Sequence, residues 1–168
     1  YGYCESNESD FTQTHKLNTA LFKINTLHRS LSPVDDLRSF RKLRRIIKEI
    51  KPDLINTHTS KAGVLGRLAA KSVSRKLPVV HTFHGHLIYG YFARYKFWVF
   101  TVIEKIMGRY TDAAVAVTSE TKRSLTNLGI GKKLLWKVIQ IGIPIKTAET
   151  NQSQKGAFNL LWVGRFTD

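Results

Sequence analysis

Acidic residues and cysteine are scarce in this chain. Only 12 Asp and Glu stand against 27 Lys and Arg in 168 residues, a formal charge of +15. A field of that sign favours anionic partners: nucleic acid, acidic lipid headgroups or phosphorylated substrates. Charge alone does not choose among them. Cys4 is the single cysteine, so an intrachain disulfide is excluded and a thiolate metal site has no basis; this usage fits the cytoplasm. Long apolar runs are missing too. None reaches the roughly 18 uncharged residues of a membrane-spanning helix, and the opening residues lack the charged-then-apolar order of a signal segment. The chain starts on Tyr1 and its last residues read as a strand and turn opening something new, which suggests a piece of a longer protein at both ends.

What is present is ample for one core: apolar residues make up 42% of the chain, enough for a domain built on one main sheet. Residues 1–16 are polar and aperiodic, an irregular start. Leu21-Phe22-Lys23-Ile24 reads as a short strand. Ser32-Pro33 then signals a helix, with Ser32 as cap, Pro33 at the first position and Asp35 and Asp36 at the positive end of the dipole. Leu37, Phe40, Leu43, Ile47 and Ile50 give that helix one buried stripe, and Pro52 stops it. Arg38, Arg41, Lys42, Arg44, Arg45 and Lys48 occupy its other faces, which admits a solvated face or contact with anionic lipid.

Two strands follow, each opening into polar residues. Residues 53–58 run apolar into His58, and Thr59-Ser60-Lys61 leads to a helix from Lys61 to Ser74, in which Gly63 and Gly66 allow close approach to a neighbour. Residues 78–83 run into His84-Gly85-His86. Strand, helix, strand within about thirty residues is the βαβ unit, with parallel strands and a right-handed crossover. Ligands of open parallel sheets bind beyond the carboxyl ends of strands, so His58 and His84 are offered to one site. His81, His84 and His86 together could suggest a metal. Alternation along a strand turns His81 and His84 to opposite faces, however, and no carboxylate sits beside them at ligand spacing, so no metal is expected. His58 also reads as a histidine that merely shapes the crevice, and Lys61 as a surface lysine.

Between His86 and Tyr110 lie Tyr89, Tyr91, Phe92, Tyr95, Phe97, Trp98 and Phe100, mixed with Arg94, Lys96, Lys105 and Arg109. Such a mixture suits a bilayer interface, while the helical spacing of Phe97, Phe100 and Ile103 suits a core. Residues 113–117 form an unbroken apolar run, a buried parallel strand. A hydroxyl at Thr118-Ser119 caps the helix 120–128, Glu120 suits its dipole, and Gly129 ends it. Residues 137–141 read as another strand, 146–157 as a polar linker, and 158–163 as a fresh strand followed by Gly164-Arg165.

As a set, residues 27–58, Thr59-Ser60-Lys61-Ala62-Gly63, His81-Thr82-Phe83-His84-Gly85-His86 and Gly90-Tyr91-Phe92 resemble bacterial family 4 glycosyltransferases of the GT-B fold. The resemblance covers roughly residues 20–168. It implies an α/β, Rossmann-like parallel sheet flanked by helices, one half of a GT-B fold. Residues 17–145 would be the acceptor-binding domain, incomplete at its amino terminus, and 158–168 the start of the donor-binding domain. It implies a retaining hexosyltransferase that takes a nucleotide-sugar donor and a lipid-linked or oligosaccharide acceptor, without a cofactor, in surface-polysaccharide synthesis. His84 falls on the family's histidine that reaches the transferred sugar. Ser60 and Lys61 fall on the family's loop lining the cleft, and Gly164-Arg165 looks like the start of the second domain, where an Arg meets the donor diphosphate; His58, Gly63, Gly85, His86 and Gly164 join them as candidate substrate-binding residues. The family's glycine-rich loop after its first strand and nearly all of its donor domain are missing here, so the fragment alone is expected to be inactive.

Two readings from other classes stand beside this one. A basic membrane-surface module would use the same cations and rings without catalysis. A nucleic-acid-binding domain would use the charge, but the cations are spread over helix faces and no finger, RRM or helix-turn-helix signature is present, so no nucleic acid is expected. An acidic membrane surface, at the inner face of the cytoplasmic membrane, fits better.

Overall fold

The computed structural model describes residues 20, 22–28, 30–85, 94–140 and 142. Helix α1 spans Pro33–Ile50, strand β1 Ile55–His58, helix α2 Ser60–Val73, strand β2 Val79–Phe83 and helix α3 Arg94–Met107. A single 3₁₀ turn, Gly108–Tyr110, leads to strand β3 at Ala113–Ala116, helix α4 at Ser119–Asn127 and strand β4 at Leu135–Val138. The strands form one parallel sheet in the order β1-β2-β3-β4.

The sheet order places the helices. Neighbouring strands follow one another in sequence, so successive right-handed crossovers put α2, α3 and α4 on the same side, and α1 joins them through the packing of Ile47. That face carries Ile55, Thr57, Val79, His81, Phe83, Ala114, Ala116 and Trp136, as register and packing show. Ile47 of α1 and Ala69 and Ala70 of α2 close over Val79, with Ile55 packed against them. Leu125 of α4 and Ile130 pack against Phe83, Phe97, Phe100 and Trp136. The opposite face carries Asn56, His58, Val80, Thr82, Ala113, Val115, Leu135 and Lys137. No described helix covers it.

The glycines in α2 fit so close a layer. A Cβ at Gly63 would lie 2.5 Å from His81 Cε1, and one at Gly66 2.9 Å from Thr57 Cγ2. Between helices, Arg67 is 1% exposed and grips Glu104 of α3 with both nitrogens of its fork, at 2.9 and 2.8 Å, while its Nε donates to Gly63 O. At the other end of β2, Asp112 Oδ2 accepts from Lys71 Nζ at 2.7 Å and from Val79 N at 2.8 Å. Partial burial opposes the Asp112 charge, but these hydrogen bonds and the Lys71 charge outweigh it and hold the carboxyl below its ordinary value.

Several sequence expectations need correction. Phe22 to Ile24 form no strand; Leu27 N donates to Ile24 O, and Ile24 and Leu27 are buried through a turn. Leu21 lies outside the described residues. Ser32 does not cap α1 with its oxygen. Its hydroxyl donates to Asp35 Oδ2 and its N–H to Asp36 Oδ2, because a carboxylate is the stronger acceptor for the hydroxyl. The last described strand sits at Leu135–Val138 rather than 137–141. Trp136 fixes that register by stacking on Phe83 and donating from Nε1 to Gly131 O at 2.8 Å. Ile103, expected in the core with Phe97 and Phe100, is 37% exposed. Thr118 does cap α4, accepting from Thr121 N at 3.0 Å, and Gly129, at φ +82, ends it with Gly129 N on Thr126 O and Ile130 N on Leu125 O, a Schellman closure. The irregular start at 1–16, the linker and the final strand lie outside the described residues.

Candidate functional site

Both strands leave the sheet through unusual backbone. His58 ends β1, and Thr59 takes φ +60 and ψ 166 before α2 begins at Ser60. A β-branched residue held there stores on the order of 1–3 kcal/mol of strain, which marks functional turns more often than ordinary ones. His84 follows β2, and Gly85 then takes φ +133, a conformation for which glycine is suited.

The register pairs His58 with Thr82, so His84, two residues further on, stands beside His58. His58 Nδ1 and His84 Nε2 are 2.7 Å apart, with ring centroids 5.0 Å apart and planes tilted by 35°. Both rings are exposed. One hydrogen lies between the two nitrogens, so one ring donates and the other accepts. Partial burial, and then the charge of His84, lower the His58 pKa below its ordinary value.

His81 has the opposite environment. Its ring is 2% exposed, lies under Gly63, meets Thr57 Oγ1 through Nδ1 at 2.8 Å, and makes an edge contact with Phe83 at 4.4 Å. Burial, with the charges of Arg67, His58 and His84 behind it, pulls its pKa to about 3, so the ring is neutral. Among the described residues, no three His, Cys, Asp or Glu side chains are grouped to hold a metal ion.

The remaining sequence-predicted residues fall into three groups. Ser60 and Lys61 open α2 two and three residues after His58, and Gly85 directly follows His84. Lys61 is already engaged, with its ammonium against the Asp36 carboxylate and the Ser30 carbonyl. It ties α2 to the start of α1. Gly63 is buried over His81, in the packing layer. His86, Gly164 and Arg165 lie outside the described residues. Sequence reasoning missed Thr57 as the partner of His81, and the Arg67–Glu104 pair. A lone arginine midway along an apolar helix was the one available signal for the latter.

A second surface accompanies the site. Along α3, Tyr95, Trp98, Val99, Ile103 and Ile106 recur at helical spacing and are all exposed, Trp98 at 67%. Lys96, whose Nζ lies 5.9 Å from the Tyr95 ring centroid, Lys105 and Arg109 flank them. No described helix is long and apolar enough to cross a membrane. On α1, Arg38 pairs with Asp35, Arg45 with Glu49, and Lys42 donates to Lys23 O.

The described sheet is parallel, with its described helices on one side and polar side chains gathered at the ends of β1 and β2. Among solved structures, MurG of Acinetobacter baumannii shares the fold at a TM-score of 0.52 and 14% identity, over 88% of this chain and 37% of that one. The model of Glycosyltransferase Family 4 matches residues 6–145, and the chain belongs to that family. It is 42% identical over 64 residues to the UDP-Gal:alpha-D-GlcNAc-diphosphoundecaprenol alpha-1,3-galactosyltransferase of Escherichia coli, covering 38% of this chain and 16% of that protein. It is 35% identical over 94 residues to the putative glycosyltransferase EpsD of Bacillus subtilis, covering 53% and 24%. The chain thus spans under a quarter of the length of these two relatives.

Proposed function

We propose that this chain is the acceptor-side half of a retaining, metal-independent hexosyltransferase that moves a sugar from a nucleotide donor to a lipid-linked saccharide in surface-polysaccharide synthesis. The observation that carries the reading is the meeting of His58 and His84 at adjacent parallel strand ends, in a chain of this family. The Escherichia coli relative, whose name specifies UDP-Gal and a diphosphoundecaprenol-linked acceptor, supports the donor and acceptor classes. In such a transfer the bond from the anomeric carbon to the diphosphate oxygen breaks and the nucleotide diphosphate leaves with the electron pair. The acceptor oxygen bonds to the same face of that carbon, and its proton passes to the departing phosphate. Positive charge develops on the sugar and negative charge on the phosphate. In this reading His84 supplies a hydrogen-bonding group at the sugar, Arg165 a fork for the phosphate oxygens, and Ser60, Gly85 and His86 further substrate contacts.

The test is sugar transfer by the full-length protein from UDP-galactose and other nucleotide-sugars to undecaprenyl-diphosphate-linked N-acetylglucosamine. The expected result is turnover that falls on the order of 100-fold in His84→Ala, the usual size for losing one well-placed donor or acceptor, with the melting temperature kept. Wild-type rates in the variant remove His84 from the mechanism.

The exposed stripe of α3 favours a further reading, attachment to the inner face of an acidic membrane through rings at headgroup depth and cations on phosphates. Flotation with phosphatidylglycerol vesicles and with phosphatidylcholine vesicles tests it. Binding to the first that weakens in Trp98→Ala is expected, and failure to bind either ends it. Vesicle binding by a full-length protein that transfers no sugar would favour the non-catalytic membrane module.

A further inference from the structure

We propose that His58 is a positioning residue: its Nδ1 accepts from His84 Nε2–H, fixing the ring and tautomer of His84 so that His84 Nδ1 meets the ligand as an acceptor. The part of this inference that concerns turnover rests on the function proposed above; the part that concerns the imidazole pair does not.

The argument begins with the 2.7 Å separation of the two nitrogens. Two protonation patterns of neutral rings allow it. If His58 Nδ1 donates, both rings must be Nδ1–H tautomers, the intrinsically less stable form of a free imidazole. If His84 Nε2 donates, both are Nε2–H, the preferred form. The second pattern therefore prevails. It leaves a lone pair on His84 Nδ1, which has no hydrogen-bond partner among the described residues. Such a nitrogen accepts from a hydroxyl and does not donate to one.

Adding one proton reverses this, whichever ring takes it. On His84, both nitrogens become donors. On His58, Nδ1–H must point at His84 Nε2, and the His84 hydrogen moves to Nδ1. Either way the acceptor is lost. The surrounding charges leave that behaviour to the pair. Arg67 on α2 is neutralised by Glu104 of α3, Lys61 by Asp36 of α1, and Glu120 of α4 by Arg123. His81 on β2 is neutral, and the charge that acts on His58 is that of His84.

Two-bond ¹⁵N–¹H spectra of the imidazoles in the full-length protein test this directly. At pH 8 the wild type is expected to show His58 and His84 each as a single Nε2–H tautomer. His58→Ala should release His84 into the mixed tautomers of a free imidazole. His58→Asn, whose Oδ1 can occupy the place of Nδ1, should restore the single form. In sugar transfer, His58→Ala is expected to lower kcat by roughly 10- to 100-fold, the range that misplacement of a reacting group produces, with KM for the donor nearly unchanged and substantial rescue in His58→Asn. A His84 tautomer identical in wild type and His58→Ala overturns the inference, as does an Nδ1–H signal for His84 in the neutral pair. Absence of transfer activity in the wild type, with the spectra as expected, instead overturns the proposed function and leaves the pair standing.

Discussion

His81 and the His58–His84 pair stand on the same two strands, yet they face opposite sides of the sheet. His81 lies in the packing layer under Gly63, neutral and held by Thr57. His58 ends β1 and His84 lies just past β2, both exposed and joined through one shared hydrogen. One step of register separates a histidine that holds the fold from one that can meet a ligand. Changes on the covered side should therefore alter stability and spare chemistry, and changes at the strand ends should do the reverse.

The strongest way to break the comparison is at Arg67. Arg67→Met leaves the Glu104 carboxylate buried without its partner, a loss of about 3–5 kcal/mol, measured as a drop in urea midpoint. Activity per folded molecule should persist; if stability is unchanged, the pair does not tie α2 to α3. Gly63→Ala comes next, since its Cβ would meet His81 Cε1 at 2.5 Å. Overpacking at such a contact costs about 1–3 kcal/mol, and thermal melting reads it.

The pH dependence of folding sharpens the same contrast. His81 has a folded pKa near 3 against an ordinary 6.5, so between those values the unfolded chain binds the extra proton. Its contribution is intact above about pH 6.5 and declines as pH falls toward 3, by up to about 1.4 kcal/mol per pH unit. His81→Gln should flatten that slope; an unchanged slope means His81 is not the responsible group. The His58 pKa is lowered by partial burial first and by His84 second, so His84→Ala should raise it only part of the way, as NMR titration would show. The smallest effect belongs to Arg45→Ala, which breaks an exposed pair with Glu49 and should move stability by less than about 0.5 kcal/mol.

Much of this architecture was legible in the residues. The βαβ spacing gave parallel strands, Gly63 and Gly66 foretold a close layer, and two histidines at strand ends pointed to one site. Where the reading fell short, the cause was contact between distant segments. Arg67 meets Glu104 across 37 positions, and nothing local to either residue names the other. Lys61 read equally as a ligand or a surface group until Asp36 was found against it. The register of β4 depended on where Trp136 packs, which an edge strand's alternation does not reveal. Ile103 shares the spacing of Phe97 and Phe100 but lies far enough around α3 to join the outward stripe. The placement of α2, α3 and α4 on one face followed from the sequential strand order, which only pairing discloses.

The central idea is that the two strand-end imidazoles act as a single unit. A double-mutant cycle on kcat of the full-length protein, with His58→Ala, His84→Ala and both together, measures that coupling most directly. The double variant is expected to be no slower than His84→Ala alone, because His58 acts only through His84. Losses that simply multiply would contradict it.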